Sequence, residues 1–153
     1  MHKIDYPVKR NIFRNLVVIL DLSSSMSESD IKPSRLEVSI AQLKGFVKSF
    51  LNHNPLSLLS IIISHDRKAF QLTPLSRHIS VHLHALENLS CSGAFSLQSS
   101  LMLAINEMQL FSSYYSKEII CLVSSLNTSD PGNIFDTIMK MEKQVVSMCS
   151  INQ

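Results

Sequence analysis

Glycine is scarce in this chain, three residues in 153, and Gly45, Gly93 and Gly132 each stand alone. Isolated glycines assemble neither a G-x-G-x-x-G fingerprint nor a phosphate loop. Cysteine is equally sparse. Cys91, Cys121 and Cys149 are odd in number, widely spaced and form no C-x-x-C pair. That pattern speaks against a disulfide framework or a zinc site and suits reduced thiols in a cytosolic or nuclear protein. Charged residues make up only 17% and the formal net charge is +2, so no general electrostatic grip on nucleic acid is expected. The first apolar run is five residues long and charged residues precede it, so neither a secretory signal nor a membrane span is expected. Asn88-Leu89-Ser90 and Asn127-Thr128-Ser129 match the glycosylation pattern, but without such a signal they count as chance. Ser99-Ser100 and Ser124-Ser125 lack the G-x-S-x-G elbow of a hydrolase. His78 and His82 stand four apart without an H-E-x-x-H arrangement, and His84 falls on another face. They read as exposed histidines on an amphipathic helix. Nothing combines a nucleophile, a base and an oxyanion donor, so no catalytic residue is assigned and no enzyme is expected.

What is present is a well-patterned globular domain. Apolar residues reach 45%, enough for a substantial core in one domain of this length. Residues 1–15 form a basic N-terminal arm carrying Lys3, Lys9, Arg10 and Arg14, read as a solvated lead-in, and the domain proper runs over 16–153. Strand-like and helix-like segments then alternate. Leu16 to Leu20, Leu58 to Ile63, Ile119 to Val123 and Val145 to Cys149 are short apolar runs that read as buried parallel strands. Lys68 to Leu72 alternates polar and apolar, as an antiparallel edge strand does. A helix opened by Pro33 places Leu36, Ile40, Leu43, Val47 and Phe50 on one face and is expected to stop at Asn52-His53-Asn54-Pro55. Ser76 is the expected N-cap of a second helix bearing Ile79, Leu83 and Leu86, and Ser96 of a third bearing Leu97, Leu101, Ala104 and Met108. Asp130-Pro131 reads as the N-cap and first position of a fourth, with Ile134, Ile138 and Met141 inward and Lys140 and Lys143 near its end. The fold class is therefore α/β, a doubly wound, mostly parallel sheet with helices on both faces.

The chemistry-bearing segment is Leu16-Val17-Val18-Ile19-Leu20-Asp21-Leu22-Ser23-Ser24-Ser25. A buried strand ends on an aspartate, and serines follow at the second and fourth positions. Open α/β sheets place their sites at this carboxyl edge. One carboxylate and two hydroxyls are hard oxygen ligands that can converge on a cation such as magnesium. Equally, Asp21 can cap the loop while the serines satisfy nearby backbone groups.

A buried strand ending in D-x-S-x-S resembles the von Willebrand factor A family, whose metal-ion-dependent adhesion site begins with those residues. Four further blocks narrow the resemblance: Ser29 to Leu36, Asn54 to Ser57, Leu72 to Ser76 and Ser124 to Asp136. Together they are similar to one branch, the A-like domain of the TFIIH core subunit that binds and stimulates the XPD helicase, over about Arg14 to Cys149. The resemblance implies a nuclear, non-catalytic module of transcription initiation and nucleotide excision repair. Its implied partners are an XPD-type helicase and other TFIIH core subunits, with no sequence-specific nucleic-acid binding and no membrane. The loop Ser125, Leu126, Asn127, Thr128, Ser129 and Asp130 matches the block that faces the helicase, with Leu126 as its apolar anchor. An alternative is another intracellular A-like interaction module such as a proteasomal ubiquitin receptor.

Two departures shape the expectation. Phe95 stands where the family's second metal loop has threonine, and Ser125 where its third has aspartate. Asp21, Ser23 and Ser25 are then a degenerate metal site, and no cofactor is expected, magnesium being held weakly if at all. An A-like domain of this branch also continues with a further helix and strand, so the fold is expected to be C-terminally short, with the edge after Val145 to Cys149 uncovered.

Overall fold

In the computed structural model, described over residues 13–111, 114–125, 127–143 and, for its backbone, 146–152, five strands form one sheet flanked by helices. The elements in chain order are β1 (Arg14–Asp21), α1 (Arg35–His53), β2 (Leu58–His65), β3 (Lys68–Ser76), α2 (Ile79–Ala85), α3 (Leu97–Gln109), β4 (Ser116–Val123), α4 (Ile134–Lys143) and β5 (Val146–Asn152), with a 3-10 turn at Ser24–Ser27 after β1. The strand order is β3-β2-β1-β4-β5. β1 lies parallel between β2 and β4, with Val18 opposite Ile61 on one side and Ile120 on the other. β5 extends the sheet parallel to β4, and β3 pairs antiparallel with β2.

β1 is central because it can be. Leu16 to Leu20 are apolar on both faces, and burying both requires a helix layer on each side. Leu16, Val18 and Leu20 enter one core with Leu36, Leu43, Val47 and Phe50 of α1, and with Leu86 after α2. Val17 and Ile19 enter the other with Leu101, Ala104, Ile105 and Met108 of α3 and Met141 of α4. The three-and-four spacing of apolar residues in α1 thus points the expected face inward.

Several boundaries differ from expectation. α1 begins at Arg35 rather than Pro33, because the Ser34 side chain accepts the Glu37 N–H as N-cap. Its other end lies within Asn52-His53-Asn54-Pro55 as expected, with a C-cap at Asn54 whose side-chain amide donates to the Phe50 carbonyl at 2.8 Å. β3 runs on to Ser76, tolerating Pro74 because an edge strand has one unpaired side. Ser76 is therefore a strand residue, and the N-cap of α2 is His78, whose N–H donates to the Ser76 hydroxyl at 3.1 Å. α4 begins at Ile134, not at Pro131, with the Asn133 side chain accepting the Phe135 N–H at 3.0 Å.

Two other expectations are corrected. His82 is not exposed: it is 0% accessible, because α2 turns it towards β3 and the Thr73 hydroxyl and Ser76 carbonyl satisfy its ring. Arg14 is not a solvated lead-in but the first residue of β1. Its Nε donates to Glu118 Oε1 at 2.8 Å, and its guanidinium lies over the Phe50 ring. Lys3, Lys9, Arg10 and Val145 lie outside the described residues.

Candidate functional site at the carboxyl edge of the sheet

Parallel pairing brings the carboxyl ends of β1, β2 and β4 together, each followed or ended by a small polar residue: Asp21, Ser64 and Ser124. Asp21 is completely buried. Its Oδ1 accepts the Ser23 N–H at 2.7 Å, and its Oδ2 accepts both the N–H and the hydroxyl of Ser124 at 3.1 Å. Ser25 closes the ring, its hydroxyl lying 2.8 Å from those of Ser23 and Ser124. A carboxylate buried this deeply requires such donors, since desolvation is otherwise unfavourable by several kcal/mol. D-x-S-x-S thus acts here as a self-satisfied turn that ties β1 to β4.

The second loop is pinned from three directions. The Ser64 hydroxyl accepts the Ser96 N–H at 3.2 Å, the Gly93 carbonyl accepts the Ser24 N–H, and the Ala94 carbonyl accepts the Arg67 N–H. Gly93 has φ +62, and a Cβ there would stand 2.8 Å from the Asp66 Cα, so no other residue fits without displacing the β2–β3 hairpin. That hairpin turns on Asp66 and Arg67, both at positive φ, as two-residue connections of this hand require. The His65 ring and the Ser92 hydroxyl hold the Asp66 carboxyl below the usual carboxylate range. Cys91 stands nearby as a neutral thiol, pushed up by burial and then by the charge of Asp21.

Ser125 and Asn127 to Asp130 form the third loop; Leu126 lies outside the described residues. Ser125 turns away from Asp21, donating to the Asn127 carbonyl at 2.9 Å and accepting the Asn127 N–H. Asn127 and Thr128 are exposed, while the Ser129 N–H donates to the Phe95 carbonyl at 2.8 Å. Asp130 does not open α4. Its Oδ1 accepts the Gln98 N–H at 2.8 Å and the Ser96 hydroxyl at 3.1 Å, and its Oδ2 accepts the Thr128 hydroxyl at 2.7 Å. It therefore caps α3 from another loop, a favourable place for an anion. These loops surround a shallow cavity of about 220 Å³ lined by Ser23, Ser25, Gly93, Phe95, Asn127 and Thr128, among others.

The donor set fits magnesium poorly. Among the described residues Asp21 is the one carboxylate hydrogen-bonded into the hydroxyl ring, and its oxygens already accept three hydrogen bonds. Phe95 brings no hydroxyl and is buried in the core beside Leu101 and Ile105. The Ser125 hydroxyl is engaged with Asn127. Among the described residues no group of three His, Cys, Asp or Glu is placed to hold a metal. The D-x-S-x-S motif contains Asp21, Ser23 and Ser25 but not Ser124. Its signal was its place directly after the buried run that ends at Val123.

Residues 19–152 match the Ssl1-like family. The chain belongs to that family. This Ssl1-like chain is 35% identical over 149 residues to general transcription factor IIH subunit 2 of Dictyostelium discoideum, covering 97% of this chain and 32% of that protein. It is 39% identical over 133 residues to general transcription and DNA repair factor IIH subunit ssl1 of Schizosaccharomyces pombe, covering 86% of this chain and 32% of that one. The Ssl1-like chain spans about a third of the length of these relatives. Among solved structures it is similar to the SpRpn10 VWA domain, with a TM-score of 0.77, 19% identity and coverage of 91% of this chain and 74% of that one. BatB from Bacteroides thetaiotaomicron is similar at a TM-score of 0.76 and 19% identity, covering 91% and 66%. At such identities the likeness is one of fold, and that fold is von Willebrand factor A-like, as the sequence resemblance implied.

Proposed function

We propose that this chain serves as the A-like domain of a TFIIH core subunit in transcription initiation and nucleotide excision repair. In this reading it acts in the nucleus without catalysis and without a resident metal. It binds an XPD-type helicase, alongside other TFIIH subunits, through the loops at the carboxyl edge of the sheet. The observation that carries the reading is the pairing of family membership with an edge whose polar groups are spent on one another. The Asp21 ring consumes its own donors and acceptors, so what remains for a partner is shape and the exposed Asn127 and Thr128. A rigid surface of this kind can favour one helicase conformation by differential affinity. Asp130 supplies the rigidity by tying Thr128 to the start of α3.

The likeness to the SpRpn10 VWA domain, at 19% identity, supports the fold and not the proteasomal alternative. Co-purification from nuclear extract separates the two. TFIIH subunits recovered with the chain support the proposal; proteasome subunits in their place refute it.

A further inference from the structure

One polar chain, buried at Ser60, Thr73 and His82 and half-buried at Glu107, crosses the sheet away from the carboxyl-edge site, and its protons can be counted. Glu107 of α3 places Oε2 2.7 Å from the Ser60 hydroxyl of β2. The same hydroxyl lies 2.8 Å from the Thr73 carbonyl oxygen of β3. The Thr73 hydroxyl accepts the Ile61 N–H at 3.0 Å and lies 2.8 Å from His82 Nδ1 of α2, whose Nε2 is 3.1 Å from the Ser76 carbonyl.

From the histidine end the donors are fixed. A carbonyl only accepts, so Nε2 carries the ring proton and donates it to Ser76. Nδ1 then accepts from the Thr73 hydroxyl, whose oxygen already accepts from Ile61. At the other end the Ser60 hydroxyl has one proton and two oxygen neighbours. With Glu107 ionised, one of the two short O···O contacts would hold no proton and set lone pair against lone pair. With Glu107 protonated at Oε2, the acid donates to Ser60 and Ser60 donates to the Thr73 carbonyl, and every contact is filled. A second observation agrees: Glu107 Oε1 is buried without a hydrogen-bond partner, a position far less unfavourable for the carbonyl of an acid than for half of a carboxylate.

We propose that Glu107 is a proton-binding site of the folded protein, its acid proton completing the chain from α3 through β2 and β3 to α2. Burial, the largest influence on this carboxyl, raises its pKa, while hydrogen bonding from Ser60 and from the Gln71 amide, which faces the carboxyl but makes no bond of full geometry to Oε1, opposes the rise. The groups facing it are Ser60 from β2, and Gln71 and the Thr73 carbonyl from β3. Among the described residues no lysine, arginine or histidine is ion-paired with it. His82 is the next titratable group along the chain, its pKa lowered above all by burial, with His78 adding to the fall. Because Glu107 holds its proton more tightly folded than unfolded, its ionisation lowers stability as pH rises through the folded pKa.

The test compares parent and Glu107→Gln chains by thermal unfolding from about pH 5 to about pH 8. The glutamine amide can donate to Ser60 as the acid does but cannot ionise. The expected result is a variant that melts several degrees above the parent at the alkaline end, the gap closing towards the acid end. A gap that is constant, or a variant that loses most at the alkaline end, overturns the proposal. Carbon-13 NMR of the Glu107 carboxyl in the parent needs no variant: titration clearly above the range of ordinary glutamates supports the assignment, and titration within that range refutes it.

Discussion

At the residue scale the decisive groups are those whose hydrogen bonds cannot be replaced. Asp21 accepts three bonds in full burial. Asp21→Ala leaves the Ser23 and Ser124 N–H groups without their acceptor, and a loss of about 3 kcal/mol in urea unfolding is expected. A loss below about 1 kcal/mol would mean that water serves these donors equally well. Gly93→Ala should cost about 2 kcal/mol for a different reason, the combination of positive φ with backbone crowding against Asp66. Replacing Gly45, around which a Cβ meets nothing, offers the matched control: in mid-helix, alanine there is expected to be neutral or stabilising.

At the scale of elements, α3 is capped by a residue from another loop, and α2 is held to the sheet by one of its own. Asp130 caps α3 across the loop, so Asp130→Ala should destabilise by about 1 kcal/mol and speed hydrogen exchange at Gln98. Unchanged exchange there would show that Ser96 alone suffices. His82 pins α2 to β3, and burial lowers its pKa. A histidine kept neutral in the fold takes up its proton more readily when unfolded. Stability is therefore expected to fall as pH drops below about 6.5 and towards the lower folded pKa. NMR titration of the His82 ring checks this, and an ordinary or raised value would contradict it.

The elements themselves were legible because periodicity follows burial: Leu36, Leu43, Val47 and Phe50 of α1, and Leu101, Ala104 and Met108 of α3, face inward as their spacing predicts. Long-range pairings were not legible. Asp130-Pro131 has every local mark of a helix start, yet the nearby N-terminus of α3 takes the carboxylate. His82 reads as a polar-face residue from its place on an amphipathic helix, and its ring's partners come from β3, which continues past Leu72 to Ser76. In the site, D-x-S-x-S was visible as a motif, but its closure through Ser124 depends on the pairing of β1 with β4.

At the scale of the whole molecule the carboxyl edge is the surface left to bind. About a millimolar magnesium should leave the melting temperature unchanged, since binding to the native state alone would raise it. A rise of several degrees, abolished by Asp21→Ala, would overturn the metal-free reading. Asn127→Arg, on an exposed position, should weaken pull-down of an XPD-type helicase and its stimulation while circular dichroism stays unchanged. A folded Asn127→Arg chain that binds and stimulates as the parent does would remove this loop from the interface.

The central position of β1 also governs how the molecule is made. Arg14 and Glu118, joined across β1 and β4, are 104 residues apart in the chain. During synthesis α1, β2 and β3 can assemble on one side of β1 early, but its other edge waits for β4 to emerge. Until then a strand apolar on both faces offers an open row of hydrogen-bonding groups to any neighbouring chain. Closing so long a loop slows folding, so the nascent protein is at its most vulnerable just before its fourth strand arrives.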